Sequence, residues 1–330
     1  MNKKKIAILA GGGSSEHPVS MRSAAGIHSW LDPERYEGYI VEMKDNTCWE
    51  AHLKDGQTVA VDRHDFTFPD SDGQTVRPDY VYITIHGNPG ENGLLQGYLE
   101  LLGIPYSSCD VLVAAMTFNK FVCNQYLKGF GVRVAESMLV RDENVTAADI
   151  VERVGLPCFV KPNGAGSSFG VTKCKTEADL MPAVAKARTE CSEVLIEAFL
   201  DGTELANGVY RTRKSGTVVL PITEVVSHNE FFDYNAKYNG QVEEITPARL
   251  SDDTTKRVQA LTKAIYEILG GRGIMRVDYI ITHDAGKDII NLLEINATPG
   301  MTPTSFIPQQ ARAAGLEMRD ILTDIIEDTL

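Results

Sequence analysis

The chain has 330 residues, 43% of them apolar and 23% charged, with a formal net charge of -13. That length exceeds one ordinary hydrophobic core, so two or three domains of a soluble globular protein are expected. The acidic balance argues against nucleic acid or a membrane surface as partner, because bulk repulsion opposes both, yet it leaves room for a small anionic ligand that feels nearby lysines.

The six cysteines (48, 109, 123, 158, 174 and 191) form no C-x-x-C and no tight ligand spacing. They read as buried thiols of a reducing compartment. Met1–Ala10 is too short in apolar residues for a signal segment, and no run spans a bilayer, so a cytoplasmic location is expected.

Lys5–Leu9 reads as a buried strand, followed by the turn Gly11–Glu16 and a helix over Val19–Leu31. Strand, glycine turn and helix start present backbone N–H groups to a ligand in open α/β sheets. The spacing does not fit G-x-G-x-x-G, because Glu16 stands where the last glycine belongs, so a dinucleotide is disfavoured. A carboxylate there repels phosphate but suits a substrate ammonium; the plainer reading is a tight turn with a helix cap. Tyr39–Met43 is a further strand, and Asn46–Gly73 is polar and turn-rich without clear pattern. Tyr80–Ile85 runs into His86-Gly87-Asn88-Pro89-Gly90-Glu91-Asn92-Gly93 and then a helix over Leu94–Leu102, stopped by Gly103. His86 at a strand's C-terminal edge is a ligand-facing position, although a lone histidine is as often structural.

Asn119–Gly129 reads as a helix with Lys120 at its start, and Thr146–Val154 as another, with Thr146 as cap and Asp149 three residues on. The inner strand Cys158–Lys161 leads into the small-residue loop Asn163–Gly170, whose backbone N–H groups suit phosphate oxygens. It is not a Walker A loop, since the lysine precedes it. On the strand Val194–Phe199, the segment Glu197-Ala198-Phe199-Leu200 offers backbone groups to bracket an adenine, and Glu204 an acceptor for ribose hydroxyls. Ser227–Gly240, dense in Tyr, Phe, His and Lys, reads as a lid. Ser251 caps a long helix whose Val258, Leu261, Ile265, Ile268 and Leu269 are core, and Leu316–Ile326 is a closing amphipathic helix.

Between these helices lie two strands, Met275–Thr282 and Ile289–Asn296, joined by His283–Lys287. Side chains alternate along a strand, so a link with an odd number of residues puts Arg276, Asp278, Glu294 and Asn296 on one face. Two carboxylates and an amide oxygen suit a hard divalent cation that keeps substrate phosphates as its other ligands. The bland alternative is a surface hairpin with solvated charges.

Six blocks carry a resemblance: G-G-x-S-x-E-x-x-V-S ending at Ser20, H-G-x-x-G-E-x-G (86–93), V-K-P…G-S-S-x-G (160–170), F-x-D-Y-x-A-K-Y (231–238), R-x-D (276–278) and L-E-I-N-x-x-P-G-M-T-x-x-S (293–305). In this order, over almost the whole chain, they resemble the D-alanine–D-alanine ligases of the ATP-grasp superfamily. The resemblance implies an α/β, three-domain ATP-grasp ligase: an N-terminal open, Rossmann-like α/β substrate domain over 1–116, a central ATP-grasp subdomain over 117–200, and a C-terminal one over 201–330 with the lid 227–240. It implies ATP and Mg²⁺, with Mn²⁺ as the alternative and two ions expected, held by Asp278, Glu294 and Asn296. Lys120, Lys161 and Lys237 match phosphate-neutralising lysines, and Ser167 and Ser168 sit on the glycine-rich loop, Ser168 also among the catalytic groups. Glu197, Phe199, Leu200 and Glu204 match the adenine and ribose contacts. Glu16 matches the group that holds the first D-alanine's ammonium, with His86 beside that substrate. Arg276 and the Gly300 N–H match an oxyanion site, Ser305 the anchor of the second carboxylate, and Tyr238 the lid tip. Asn92 and Gly164-Ala165 depart from the family's usual residues and put only local loop contacts in doubt.

The implied reaction makes an acyl phosphate from D-alanine and ATP, which a second D-alanine attacks to give D-alanyl-D-alanine for peptidoglycan. D-alanine and ATP are then the small-molecule partners, and a homodimer is the family expectation. Two rivals stay open at this point: a ligase taking D-lactate second, and a catalytically silent nucleotide sensor. The metal set together with Arg276 argues against the sensor, since mere binding needs neither.

Overall fold

The structure is a computed structural model and describes residues 3–164, 170–227 and 242–330. Ile6–Ala10 are wholly buried, the mark of a central strand covered on both faces. They form β1 (Lys4–Gly11), which leads into α1 (His17–Trp30) and β2 (Tyr36–Met43). The stretch without clear pattern holds β3 (Trp49–His52), β4 (Thr58–Ala60) and β5 (Phe68–Pro69), with β6 (Thr75–Val76) just beyond. Its polar residues build the turns: Asp45 accepts from the Thr47 and Cys48 N–H groups, Asp55 from Gln57, and Asp70 from Asp72 and Gln74. With β7 (Tyr80–Ile83) the first sheet has the order β4-β3-β2-β1-β7, parallel where β1 meets β2 and β7.

Three helices follow: α2 (Leu94–Leu102), closed by Gly103 at φ 63°, then α3 (Val111–Phe118) and α4 (Lys120–Lys128). Between the last two, the Asn119 side chain accepts from the Val122 N–H and caps α4, which places Lys120 at its first turn. The second sheet comprises β8 (Ser137–Val140), β9 (Cys158–Pro162), β10 (Thr172–Cys174) and β11 (Val194–Ala198), in the antiparallel order β10-β9-β11-β8. The helices α5 (Ala147–Val154) and α6 (Glu177–Arg188) share a core with it through Ile150, Leu180, Val184, Val160 and Ile196. The Thr146–Asp149 capping box forms as the spacing predicts.

The third sheet is built from β12 (Thr203–Thr212), β13 (Gly216–Ser227), β14 (Val242–Ile245), β15 (Met275–Asp284) and β16 (Lys287–Asn296), in the order β14-β13-β12-β15-β16. Helix α7 (Asp252–Leu269) packs Val258, Ile265 and Leu269 under it, and the Ser251 side chain caps it by accepting from the Thr254 N–H. The chain closes with α8 (Phe306–Ala313) and α9 (Met318–Thr329). The buried Ile321, Leu322, Ile325 and Ile326 of α9 join Ile6, Ile8 and Ile27 of the first unit and Tyr210 and Leu220 of the third in one apolar cluster. A single core therefore ties the first sheet to the third.

The hairpin β15–β16 differs from the sequence expectation in a way that matters. The ladder continues to Asp284 opposite Lys287, so the link is two residues rather than an odd number. Ala285 and Gly286 both have positive φ, 47° and 77°, the handedness that a two-residue hairpin turn needs. An even link sets Ile281 opposite Ile290 and Tyr279 opposite Leu292. Continued unchanged, that register would turn Glu294 and Asn296 into the core. Instead the ladder bulges at Leu293, and beyond it Asp278 faces Glu294 and Arg276 faces Asn296. The core side switches in step, from Ile290 and Leu292 to Ile295 and Ala297.

Ala285 holds a left-handed conformation that costs an ordinary L-residue roughly 1–2 kcal/mol, whereas Asn tolerates it. Ala285→Asn is expected to raise stability by about 0.5–1 kcal/mol and to leave activity unchanged. The check is the urea midpoint; an unchanged or lower value would show that the turn bears no such cost.

Candidate active site

The three units enclose a cavity of about 1240 Å³. Its floor is the bulged end of β15 and β16. Arg276 donates from Nε and NH2 to the two oxygens of Asp278, at 2.8 and 2.7 Å, and the Asn296 amide donates to Asp278 at 3.0 Å. Asp278 is 5% exposed, and a carboxylate so buried persists because a bidentate guanidinium and an amide satisfy it. Glu294 meets the Lys120 ammonium at 3.7 Å. Among the described residues no group of three His, Cys, Asp or Glu side chains gathers as a metal cluster. The donor set is two carboxylates and one amide oxygen, which suits a hard cation sharing its sphere with phosphate better than a transition metal.

One wall comes from the second sheet. Lys161 and Glu197 are ion-paired and both nearly buried, and Glu197 also accepts from the Asn124 amide at 3.2 Å. Register explains the pair: β11 sets Leu195 against Lys161 and Glu197 against Phe159, two residues apart on one face. Phe159 and Phe199 rings lie 5.9 Å apart, with the Lys173 ammonium 3.6 Å from the centre of Phe199. Phe199, Leu200 and Glu204 line the cavity. The backbone donors of the segment are a partial correction. The N–H of Ala198 goes to Glu136 O and that of Phe199 to Pro157 O, so neither is offered to a purine.

The opposite wall is the start of α1 and the loop after β7. His86 Nδ1 lies 3.0 Å from the Thr298 carbonyl, which only accepts, so Nδ1 carries the proton and Nε2 presents a lone pair. Nε2 is buried without a protein partner among the described residues. Burial lowers the His86 pKa, opposed by Glu16 and the Thr298 carbonyl and assisted by Arg276, so the ring is neutral near pH 7. Glu16 lines the same wall. Glu91 does too, and sequence reasoning gave it no role although it stands inside the quoted 86–93 motif. The available signal was an acidic residue in a glycine loop at a strand's end.

The turn after β16 closes the cavity. Ser305 Oγ accepts from the Thr302 N–H at 3.1 Å and lies 2.8 Å from the Thr302 hydroxyl. A Cβ on Gly300 would come within 2.9 Å of Ser305 Oγ, so only glycine lets the two approach. The Met301 N–H donates to Ser23 of α1 at 3.2 Å, and a Cβ on Gly26 would strike the Met301 carbonyl at 2.7 Å. Close contact with α1 thus fixes the position of this turn. Sequence reasoning also missed a charged pair on the far rim, Arg249 with Glu224 at 2.7 Å. Ser167, Ser168, Lys237, Tyr238 and the lid segment 228–240 lie outside the described residues.

Known proteins resemble this chain along almost its whole length. Residues 5–109 match the family model described as D-ala D-ala ligase N-terminus, and residues 126–327 the one described as D-ala D-ala ligase C-terminus. The chain is 61% identical over 327 residues to a D-alanine–D-alanine ligase of Phocaeicola vulgatus, covering 99% of each. To one of Porphyromonas gingivalis it is 54% identical over 332 residues, covering 100% of this chain and 99% of the relative. Among solved structures, D-alanyl-alanine synthetase A from Vibrio cholerae is similar with a TM-score of 0.87 at 28% identity, covering 100% of this chain and 99% of that one. The VanG D-Ala:D-Ser ligase from Enterococcus faecalis is similar with a TM-score of 0.86 at 28% identity, each chain covered in full.

Removing one partner of a buried ion pair strands the other charge, at a cost of about 3–5 kcal/mol. Glu197→Ala is therefore expected to lower the urea midpoint strongly, and the double change Lys161→Met with Glu197→Leu to lower it less. Equal loss in the single and double variants would show that packing, not charge, dominates at this pair.

Proposed function

The chain belongs to the D-alanine–D-alanine ligase family, and on that premise we propose which of its groups carry each part of the reaction. The protein is an ATP-dependent ligase that joins two D-alanine molecules into D-alanyl-D-alanine for peptidoglycan. A carboxylate is a poor electrophile, so the γ-phosphoryl group of ATP passes first to the carboxylate of one D-alanine. The amine of the second attacks the resulting acyl phosphate, and the tetrahedral intermediate expels phosphate.

The observation that carries the residue assignments is the convergence of Arg276, Asp278, Glu294 and Asn296 on one face, within reach of Lys120. Asp278, Glu294 and Asn296 would hold a divalent cation, Mg²⁺ or Mn²⁺ and two ions in all, which when bound offsets triphosphate charge. Lys120 and Lys161, with Lys237, neutralise the phosphates, and Ser167 and Ser168 contribute from the glycine-rich loop. Phe199 and Leu200 flank the purine, Glu197 orients Lys161 beside it, and Glu204 takes the ribose hydroxyls. Glu16 holds the first D-alanine's ammonium beside His86. Arg276 and the Gly300 N–H stabilise the developing oxyanion, a kind of contribution worth about 3–4 kcal/mol per donor elsewhere. Ser305, at the N-terminus of α8, anchors the second carboxylate, and Tyr238, in the segment 227–240, is assigned to the second substrate.

The proposal keeps the division into 1–116, 117–200 and 201–330, and places the enzyme in the cytoplasm as a homodimer without nucleic-acid or membrane partners. The net charge of -13 supports the last point, and among the described residues no helix is long and apolar enough to cross a membrane.

The deciding assay is phosphate release from ATP with D-alanine, L-alanine and D-lactate, singly and in pairs. D-alanine alone should suffice for dipeptide; release requiring D-lactate would overturn the choice of second substrate. Glu294→Gln keeps shape and removes one charge, so the Mg²⁺ concentration for half-maximal rate should rise by about tenfold or more with an unaltered melting curve. An unchanged Mg²⁺ requirement would reject Glu294 as a cation ligand.

A further inference from the structure

Glu91 is a carboxylate to which the assignments above give no part. It is anchored at the cavity wall: its Oε2 accepts the Gly87 N–H at 2.7 Å, and its own N–H donates to the Gly87 carbonyl at 2.8 Å. Glu16 approaches the same residue, its Oε2 4.0 Å from where a Cβ on Gly87 would lie. Two carboxylates thus flank one backbone unit that carries no side chain. Like charges so placed in a partly dry cavity are unfavourable unless a cation comes between them.

Lys120, facing from α4, meets Glu294 at 3.7 Å, and Arg276, facing from β15, is bidentate with Asp278. His86 contributes no positive charge but a buried lone pair at Nε2. The wall therefore gathers three acceptors: two carboxylates and an imidazole nitrogen. A primary ammonium has three N–H donors and one positive charge, which matches that set in number and sign.

We propose that Glu91 is a specificity-determining residue of the first-substrate site, completing with Glu16 and His86 Nε2 a three-acceptor socket for the ammonium of the first D-alanine. The inference rests on the assignment of Glu16 and His86 to that substrate. Its consequence is a proton linkage. Burial pushes the Glu91 carboxyl up to about 7, with Glu16 adding to the rise and the Gly87 N–H, Lys120 and the Thr298 backbone opposing it. An arriving ammonium favours the ionised form. Near neutrality the carboxylic acid of Glu91 then gives its proton to solvent, while the ammonium keeps all three of its own. Affinity for the first D-alanine accordingly rises as pH climbs through about 7 and levels off above it.

The test is steady-state kinetics resolved for the first D-alanine, the second D-alanine and ATP, between pH 6 and 8.5, for the parent enzyme, Glu91→Gln and Glu91→Asp. Glu91→Gln should raise the KM of the first D-alanine about 10- to 100-fold, leave the other two within about twofold, and abolish the pH dependence of the first. Glu91→Asp, which keeps the charge on a shorter arm, should retain the pH dependence with an intermediate KM. Melting curves of all three proteins accompany the kinetics. An unchanged first-substrate KM, a pH dependence that survives in Glu91→Gln, or an equal rise in all three KM values with a lower melting temperature would overturn the proposal. The last would mark Glu91 as a loop brace only. Failure of the parent enzyme to make dipeptide would instead sink the residue assignments to the first substrate.

Discussion

Asp278 is the node on which the cavity floor depends. It is almost fully buried, yet it accepts from both arms of Arg276 and from the Asn296 amide. A charge in that position is tolerated only because its partners are fixed beside it, and the partners are fixed because a single bulge at Leu293 turns Glu294 and Asn296 to the same face. Remove the bulge's phase shift and the same residues would point into the core beside Val277 and Tyr279. The floor's chemistry and the packing beneath it are therefore one constraint viewed from its two sides.

The walls are held to that floor by apolar packing more than by ion pairs. Helix α9 inserts Ile321, Leu322, Ile325 and Ile326 into the core that β1 and α1 share with the third unit. Burial of such side chains is worth about 1.5–3 kcal/mol each, an upper figure when the unfolded chain is compact. Above this core the contacts are polar and close. Ser23 and Gly26 of α1 meet Met301 in the turn that also presents Gly300 and Ser305. The position of this turn relative to α1 is thus set by close-packed backbone.

An acidic protein that handles a polyphosphate must keep its cations where they are needed. Lys161 is paired with Glu197, and Lys120 with Glu294, so the lysines of the cavity stand pre-placed beside carboxylates. These pairs hold the ammonium groups at defined positions without a ligand, at the cost of desolvating both members. The far wall differs: two carboxylates approach Gly87 there, and the neutral His86 adds a lone pair. One cavity therefore offers two opposite electrostatic environments.

Much of this was legible in the residues themselves. Alternation and caps located β1, β7, α4, α5, α7, α9 and the paired strands β15 and β16, because side-chain periodicity and helix capping are local properties. Glycine-rich blocks marked the loops after β7 and β9, and the ordered motifs identified the family. What the sequence could not decide was phase and partnership. The parity of the link between β15 and β16 was misjudged, since a two-residue turn plus a bulge reaches the same face as an odd link, and only the cross-strand register distinguishes them. The short strands β3 to β6 were hidden because aspartate turns mask alternation in segments of a few residues. Glu197 was read for its backbone, but the fold spends the Ala198 and Phe199 N–H groups on Glu136 and Pro157 and turns the Glu197 carboxylate to Lys161. Glu91 had no role until Glu16, 75 positions away by residue number, was seen to approach the same glycine. Composition and local pattern determined which elements form and which chemistry they carry. Which charges meet, and therefore which are paired, buried or shifted, was decided by tertiary contacts, because electrostatic energy depends on distances in space that the order of residues does not contain.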